Sequence, residues 1–282
     1  MIPPPSDNAA SAARVEQCGP PSCVDEVVYL GVSLALLDAA EAAARIAARE
    51  PFLPFGYVVT PNAAHFTRLV KLGDERFRDA VDHAWLRLLD GQTPRLLARL
   101  LFGMRLAGAS GSDVTALLLA RHLRPDDAIT VIGGEPALPH ALTERFGLSR
   151  VAQHIPPMGF IRDPDAVDAC IDFVLAYPAR YVFLVTGAPQ SEYLARMIQR
   201  RGDVVGCGLC VGSGLNFSAG ILPRAPRALR EAGLEWAYRL ARNPVGHARR
   251  VFVDSLPIFS IALAAWRDPE AFGMAPSRAS AR

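Results

Sequence analysis

Apolar positions along this chain follow two periods that alternate. FGYVVTPN (55–62), WLRLLDG (85–91), AITVIGGEP (128–136), RYVFLVTGAPQ (180–190) and VVGCGLCVGSG (204–214) are short apolar runs closed by Gly, Pro, Asn or Asp. Runs of this length with turn residues behind them predict strands buried on both faces. Between them lie stretches in which Ala, Leu and Ile recur at helical spacing: 36–50, 65–84, 93–106, 112–123, 136–147, 164–177 and 191–202. Ordered structure is expected to begin near VDEVVYLGVSL (24–34). Strands alternating with helices predict a Rossmann-like α/β fold, a parallel sheet with helices on both faces. No internal repeat interrupts the pattern.

The ends of the chain read differently. Residues 1–25 are rich in Pro, Ala and Ser and predict a flexible extension, and 268–282 a flexible tail. The catalytic fold is expected over 26–221, followed by a helical, basic C-terminal appendage over 222–267. That last segment contains GLEWAYRLARNPVGHARR (233–250), in which Arg239, Arg242, His247, Arg249 and Arg250 stand beside Trp236, Tyr238 and Leu240. Leu229, Gly233, Trp236 and Leu240 fall on one helical face, able to meet lipid or the rest of the fold. The most apolar run near it, LPIFSIALAAW (256–266), is too short to span a bilayer and carries Pro257.

Composition narrows the classes. Across 282 residues with 51% hydrophobic content a large core is available, and a formal net charge of +2 is too small for a general nucleic-acid binder. Any basic function must therefore be local. Cys18, Cys23, Cys170, Cys207 and Cys210 form no disulfide framework, and the first residues lack the apolar stretch of a secretory signal, so a cytoplasmic location is expected. Cys207-Gly-Leu-Cys210 has no second pair at zinc spacing and sits in an apolar segment, which makes its thiols core residues. Six histidines show no metal spacing, and none is assigned a catalytic role.

In a parallel sheet the ligand crevice opens at the carboxyl ends of the strands. Those ends carry Thr60-Pro61-Asn62, Asp90-Gly91, Gly133-Gly134-Glu135-Pro136, Gly187-Ala188-Pro189-Gln190 and Gly212-Ser213-Gly214. Any one could be a plain turn. Together they form a polar rim able to bring backbone N–H groups and helix N-termini to a diphosphate. No dinucleotide fingerprint or Walker motif is present, which weighs against a sugar-nucleotide-modifying enzyme or an ATPase. Asp163-Pro164-Asp165 spells the D-x-D of metal-dependent transferases but opens a helical stretch, where Asp is expected as a cap.

The motifs TPN (60–62), LLDG (88–91), GSD (111–113), VIGGEP (131–136), GAPQSE (187–192), and FSAGILPRAP followed by GLEWAYRL resemble, in collinear order from about residue 28 to about 259, the WecG/TagA/CpsF family of glycosyltransferases. The resemblance implies an inverting, metal-independent enzyme without a cofactor. It would move a sugar from a UDP-sugar donor to a polyprenyl-diphosphate-linked sugar acceptor at the cytoplasmic membrane surface, in surface-polysaccharide synthesis. It implies Asp90 as catalytic base; Thr60, Asn62, Gly133, Gly134, Gly187, Pro189, Gln190 and Glu192 as sugar-binding positions; and Arg224, Arg239 and Arg249 as contacts to the acceptor diphosphate. No metal ligands are expected, no nucleic-acid partner follows, and a homo-oligomer is left open. The chain departs from the family pattern at Gly108, Ser191, Asn216 and Gly246, which bears on sugar specificity or on activity itself. A silent membrane-surface scaffold is the competing reading, favoured if Asp90, Thr60 and Gly187 do not line one cleft.

Overall fold

The computed structural model describes residues 24–226, 228–229, 234–242 and 244–274. The expected N-terminal extension up to residue 23, the tail beyond 274 and Gly233 lie outside the described residues, as do the side chains of Arg239, Gly246 and His247. Eight strands alternate with helices: β1 (Glu26–Tyr29), β2 (Val32–Ala35), α1 (Ala39–Ala48), β3 (Gly56–Val59), α2 (Ala63–Val70), α3 (Glu75–Asp82), β4 (Leu86–Arg87), α4 (Gln92–Phe102), α5 (Gly111–Arg121), β5 (Ala128–Gly133), α6 (Leu138–Phe146), β6 (Arg150–His154), α7 (Pro164–Ala176), β7 (Tyr181–Val185), α8 (Gln190–Arg201), β8 (Cys207–Cys210) and α9 (Gly214–Ser218). Toward the C-terminus follow α10 (Glu235–Arg242), α11 (Pro244–Ala248), a π-helical segment (Arg249–Ser255) and α12 (Ile258–Arg267).

Six strands form one parallel sheet in the order β4-β3-β8-β7-β5-β6, and β1 and β2 pair as a separate antiparallel hairpin. This is the Rossmann-like α/β architecture expected from the alternating periods. Strand residues divide strictly between the two faces. Tyr57, Val59, Val182, Leu184 and Cys210 join the core beneath α2, α3, α7 and α8, whereas Val58, Tyr181, Phe183, Cys207 and Leu209 join the core beneath α1, α5, α6 and α9. Both faces are dry, which is why the strands read as continuous apolar runs rather than alternating ones. Two elements were not expected. The edge strand β6, RVAQH, is half polar because only one side is paired, and the hairpin carries apolar residues on both faces.

The C-terminal helix is part of the core. Ile258, Ile261, Ala262 and Ala265 of α12 are buried in the same cluster as Phe66 and Leu69 of α2 and Leu97 and Ala98 of α4. Ordered packing also continues past residue 267, since Met274 is buried and its Sδ accepts the Leu30 N–H at 3.4 Å. Residues 268–274, expected as tail, are therefore packed, because Met274 supplies apolar cover to the turn at Leu30-Gly31.

Cys170, Cys207 and Cys210 are free and buried. Loss of solvation pushes the Cys170 thiol up to about 11, Cys207 up to about 12 and Cys210 well above its ordinary range. Since the thiolate is the reactive form, iodoacetamide at pH 8 is expected to leave these three unmodified in the native chain and to modify them in guanidinium. Peptide mapping by mass spectrometry reads this directly; native labelling of Cys207 would contradict its burial.

Candidate active site

Every strand of the parallel sheet ends on the same side, and α2, α4, α5 and α8 all begin there. Each helix start leaves unpaired backbone N–H groups and a partial positive charge, so this end of the sheet is built to receive anions. Asn62 caps α2, its Oδ1 accepting from Ala64 N (3.1 Å) and His65 N (3.4 Å). Ser110 caps α5 and donates from Oγ to Asp113 Oδ2 at 2.6 Å. Asp163 caps α7 by accepting from Asp165 N at 3.1 Å, so the D-x-D pair is a helix start.

The floor of this end is main chain against main chain. A Cβ on Gly111 would come within 3.1 Å of both Thr60 Oγ1 and Val211 Cα, and one on Gly214 within 3.1 Å of Ser112 Cα. The Gly of the GSD motif is required by that close approach.

Two cavities open above the floor. The first, about 280 Å³, is lined by polar groups: Thr60, Asn62, His65, Asp90, Ser112, Thr186, Gly187, Ser191, Glu192, Asn216 and Arg250 among others. The second, about 460 Å³, is faced on one side by Asp90, Gln92, Arg95, Ser110, Asp113 and Arg224, and on the other by Trp236, Val251, Phe252, Leu256 and Phe259. Asn62, Asp90, Ser112 and Arg250 line both. Asp90 thus stands in a shared wall. Its loop is held by backbone bonds, Asp90 N to Pro61 O at 2.8 Å and Leu88 N to Val59 O at 3.0 Å.

Thr60, Asn62, Asp90, Gly187 and Glu192 therefore come together in the polar cavity, and the convergence of Asp90, Thr60 and Gly187 removes the geometric argument for a surface scaffold. Gly133, Gly134, Pro189 and Gln190 sit at the same end of the sheet but outside both linings. Arg224 lines the larger cavity, with Nη1 2.8 Å from Asp113 Oδ1, which ties the RAP segment to the start of α5. Arg249 is exposed and lines neither cavity, whereas its neighbour Arg250 lines both. Where the family pattern has Arg before GSD, the Arg95 side chain lies across Gly108, its Nε donating to Leu106 O at 3.2 Å.

Sequence reasoning did not place three residues of the site: His65 was given no role, Asn216 was noted only as a departure from the family pattern, and Arg250 only as part of a basic stretch. His65 stacks on Phe77 (ring centroids 5.4 Å apart), accepts the Asn62 N–H at Nδ1 (3.0 Å) and turns Nε2 toward Glu192 Oε1 at 3.4 Å. Asn216 reaches the cavity from α9, and Arg250 from the π-helical segment. His65 lies one turn beyond the TPN motif on a helix starting at the strand end, a signal that could have drawn it in; Asn216 and Arg250 depend on how distant segments dock.

Among the described residues no group of three His, Cys, Asp or Glu is placed to hold a metal ion, and no helix is long and apolar enough to cross a membrane. The glycosyl transferase WecG/TagA/CpsF family matches the chain over residues 27–271.

Proposed function

Because this chain belongs to the WecG/TagA/CpsF family of glycosyltransferases, we propose that it transfers a sugar, with inversion, from a UDP-sugar to a polyprenyl-diphosphate-linked sugar at the inner face of the cell membrane. The observation that carries this reading is the position of Asp90 in the wall common to a polar cavity and a larger, apolar-sided one. The donor occupies the polar cavity beside Thr60, Asn62 and Glu192. The lipid-linked acceptor enters the larger cavity along Trp236, Phe252, Leu256 and Phe259.

At the shared wall the acceptor hydroxyl gives its proton to the Asp90 carboxylate as its oxygen bonds to the anomeric carbon. The bond from that carbon to the β-phosphate oxygen breaks on the opposite side, and the electron pair departs with UDP. Attack and departure on opposite faces invert the anomeric centre. Helix N-termini and Arg250 offset the charge on the departing diphosphate. Arg224, Arg239 and Arg249 keep the proposed role toward the acceptor diphosphate, a task suited to the planar, multi-donor guanidinium.

Association with a membrane surface is supported by exposed apolar side chains on neighbouring elements: Leu96 and Leu100 on α4, Phe252 and Val253 on the π-helical segment, and Phe259, Leu263 and Trp266 on α12. Interfacial Trp and basic residues favour the headgroup level.

The test is a panel of UDP-sugars offered with a short-chain polyprenyl-diphosphate-sugar, read by mass spectrometry of the lipid product. A product heavier by one sugar residue is expected, and no product with any donor would refute the assignment. In the same assay EDTA is expected to leave the yield largely intact, because arginines and helix N-termini do the neutralising. Loss of product that Mg²⁺ or Mn²⁺ restores would replace this with a metal-dependent mechanism.

A further inference from the structure

Two buried side chains in the wall of the polar cavity present acceptors to it. Glu192 is 3% exposed and Asn216 6%, and both line the cavity. Among the described residues the acceptors Glu192 Oε2 and Asn216 Oδ1 have no hydrogen-bond partner, and neither has His65 Nε2, which faces Glu192 rather than bonding to it. Glu192 Oε1 faces His65 Nε2 at 3.4 Å. The His65 Nδ1 atom accepts from the Asn62 backbone, so the ring proton sits on Nε2 and Glu192 is on the accepting side of the pair. Buried acceptors without partners are costly, more so when charged. A ligand that offers O–H or N–H groups relieves that cost, whereas one that brings another anion increases it. Asp90 adds a second carboxylate to the same lining.

We infer that the polar cavity selects an uncharged, hydroxyl-rich sugar on the donor and discriminates against a uronic acid, with Glu192 and Asn216 as the selecting residues. This rests on the donor reading of the cavity given above. Sugar hydroxyls donate to Glu192 Oε2 and Asn216 Oδ1, and the carboxylate of a uronic acid would meet the carboxyl groups of Glu192 and Asp90 in the same lining. Arg250 also faces the cavity, but it belongs to the lining shared with the larger cavity. In the reading proposed above it serves the diphosphate. A site built to pair ligand hydroxyls rejects analogues that cannot supply them.

The experiment is calorimetric titration of the full-length protein, without acceptor, with UDP, UDP-glucose, UDP-N-acetylglucosamine, UDP-galactose and UDP-glucuronic acid. At least one neutral UDP-sugar is expected to bind about tenfold or more tighter than UDP-glucuronic acid, which should bind no better than UDP. In Glu192→Gln the gap between neutral and acidic donors should narrow, since one of the two repelling charges is gone. UDP-glucuronic acid binding as tightly as the best neutral donor would overturn the inference while leaving the UDP-sugar reading intact. Absence of binding by every UDP compound would overturn that reading and the inference with it. The wild-type series decides the matter even if the variant is unstable.

Discussion

Asp90→Asn is expected to cut turnover by on the order of 10²-fold or more while leaving the fold and donor binding in place. Asn has nearly the shape of Asp but cannot take the acceptor proton. Backbone bonds hold the loop: Asp90 N is bonded to Pro61 O at 2.8 Å, Leu88 N to Val59 O at 3.0 Å, and Leu89 O accepts from Ala109 N at 3.0 Å. Measurement of kcat with purified variant, beside its thermal midpoint and its affinity for UDP, separates the two effects. Turnover close to that of the parent would assign the proton to another group and remove Asp90 from the mechanism.

A chain ending at Pro257 is expected to lose cooperative unfolding. Read from sequence, residues 222–267 form an appendage whose removal spares the sheet. In the structure α12 inserts Ile258 and Ile261, both nearly free of solvent, between α2 and α4. Burying an Ile side chain is worth roughly 1.5–3 kcal/mol, so the two together approach much of the ~5–15 kcal/mol that holds a domain folded. Ala262 and Ala265 add to this, and their loss leaves Phe66, Leu69 and Leu97 facing water. Circular dichroism during heating, with a hydrophobic dye as a second probe, reads the outcome. Full-length-like unfolding of the shortened chain would show that α12 is dispensable to the core. The design of activity tests follows from this: the role of the basic stretch toward a lipid diphosphate is better probed by single Arg→Ala changes, which disturb stability little at exposed positions.

What was legible in the sequence is what depends on local pattern. The buried strands announced themselves by continuous apolar runs, and their Gly, Asn and Asp terminators marked the end of the sheet where Thr60, Asp90 and Gly187 meet. WLRLLDG read as a strand, yet only Leu86–Arg87 pairs with β3, because the chain must leave the sheet early to bring Asp90 to the cavity. The helical stretch 65–84 is two helices, since Asp74 begins a new one by accepting from Phe77 N at 2.9 Å. The edge strand β6 was missed for want of apolar residues. What long-range docking delivers was not legible: Asn216 on the short α9 was noted only as a departure from the family pattern, and Arg249 was taken from the family resemblance although its neighbour Arg250 is the one that lines both cavities.

The contact of Gly111 with Thr60 and Val211, and of Gly214 with Ser112, leaves little room for a side chain at these two positions. Depth and width there are properties of the backbone, common to any sequence that keeps these two glycines. Divergence in what such a scaffold accepts is thereby channelled to wall positions such as Asn216, whose Oδ1 has no partner in the protein to lose. A library that randomises those walls and leaves the floor untouched is the direct route to altered donor preference, and Gly111→Ala, made separately, is expected to lower activity by crowding Thr60 and Val211.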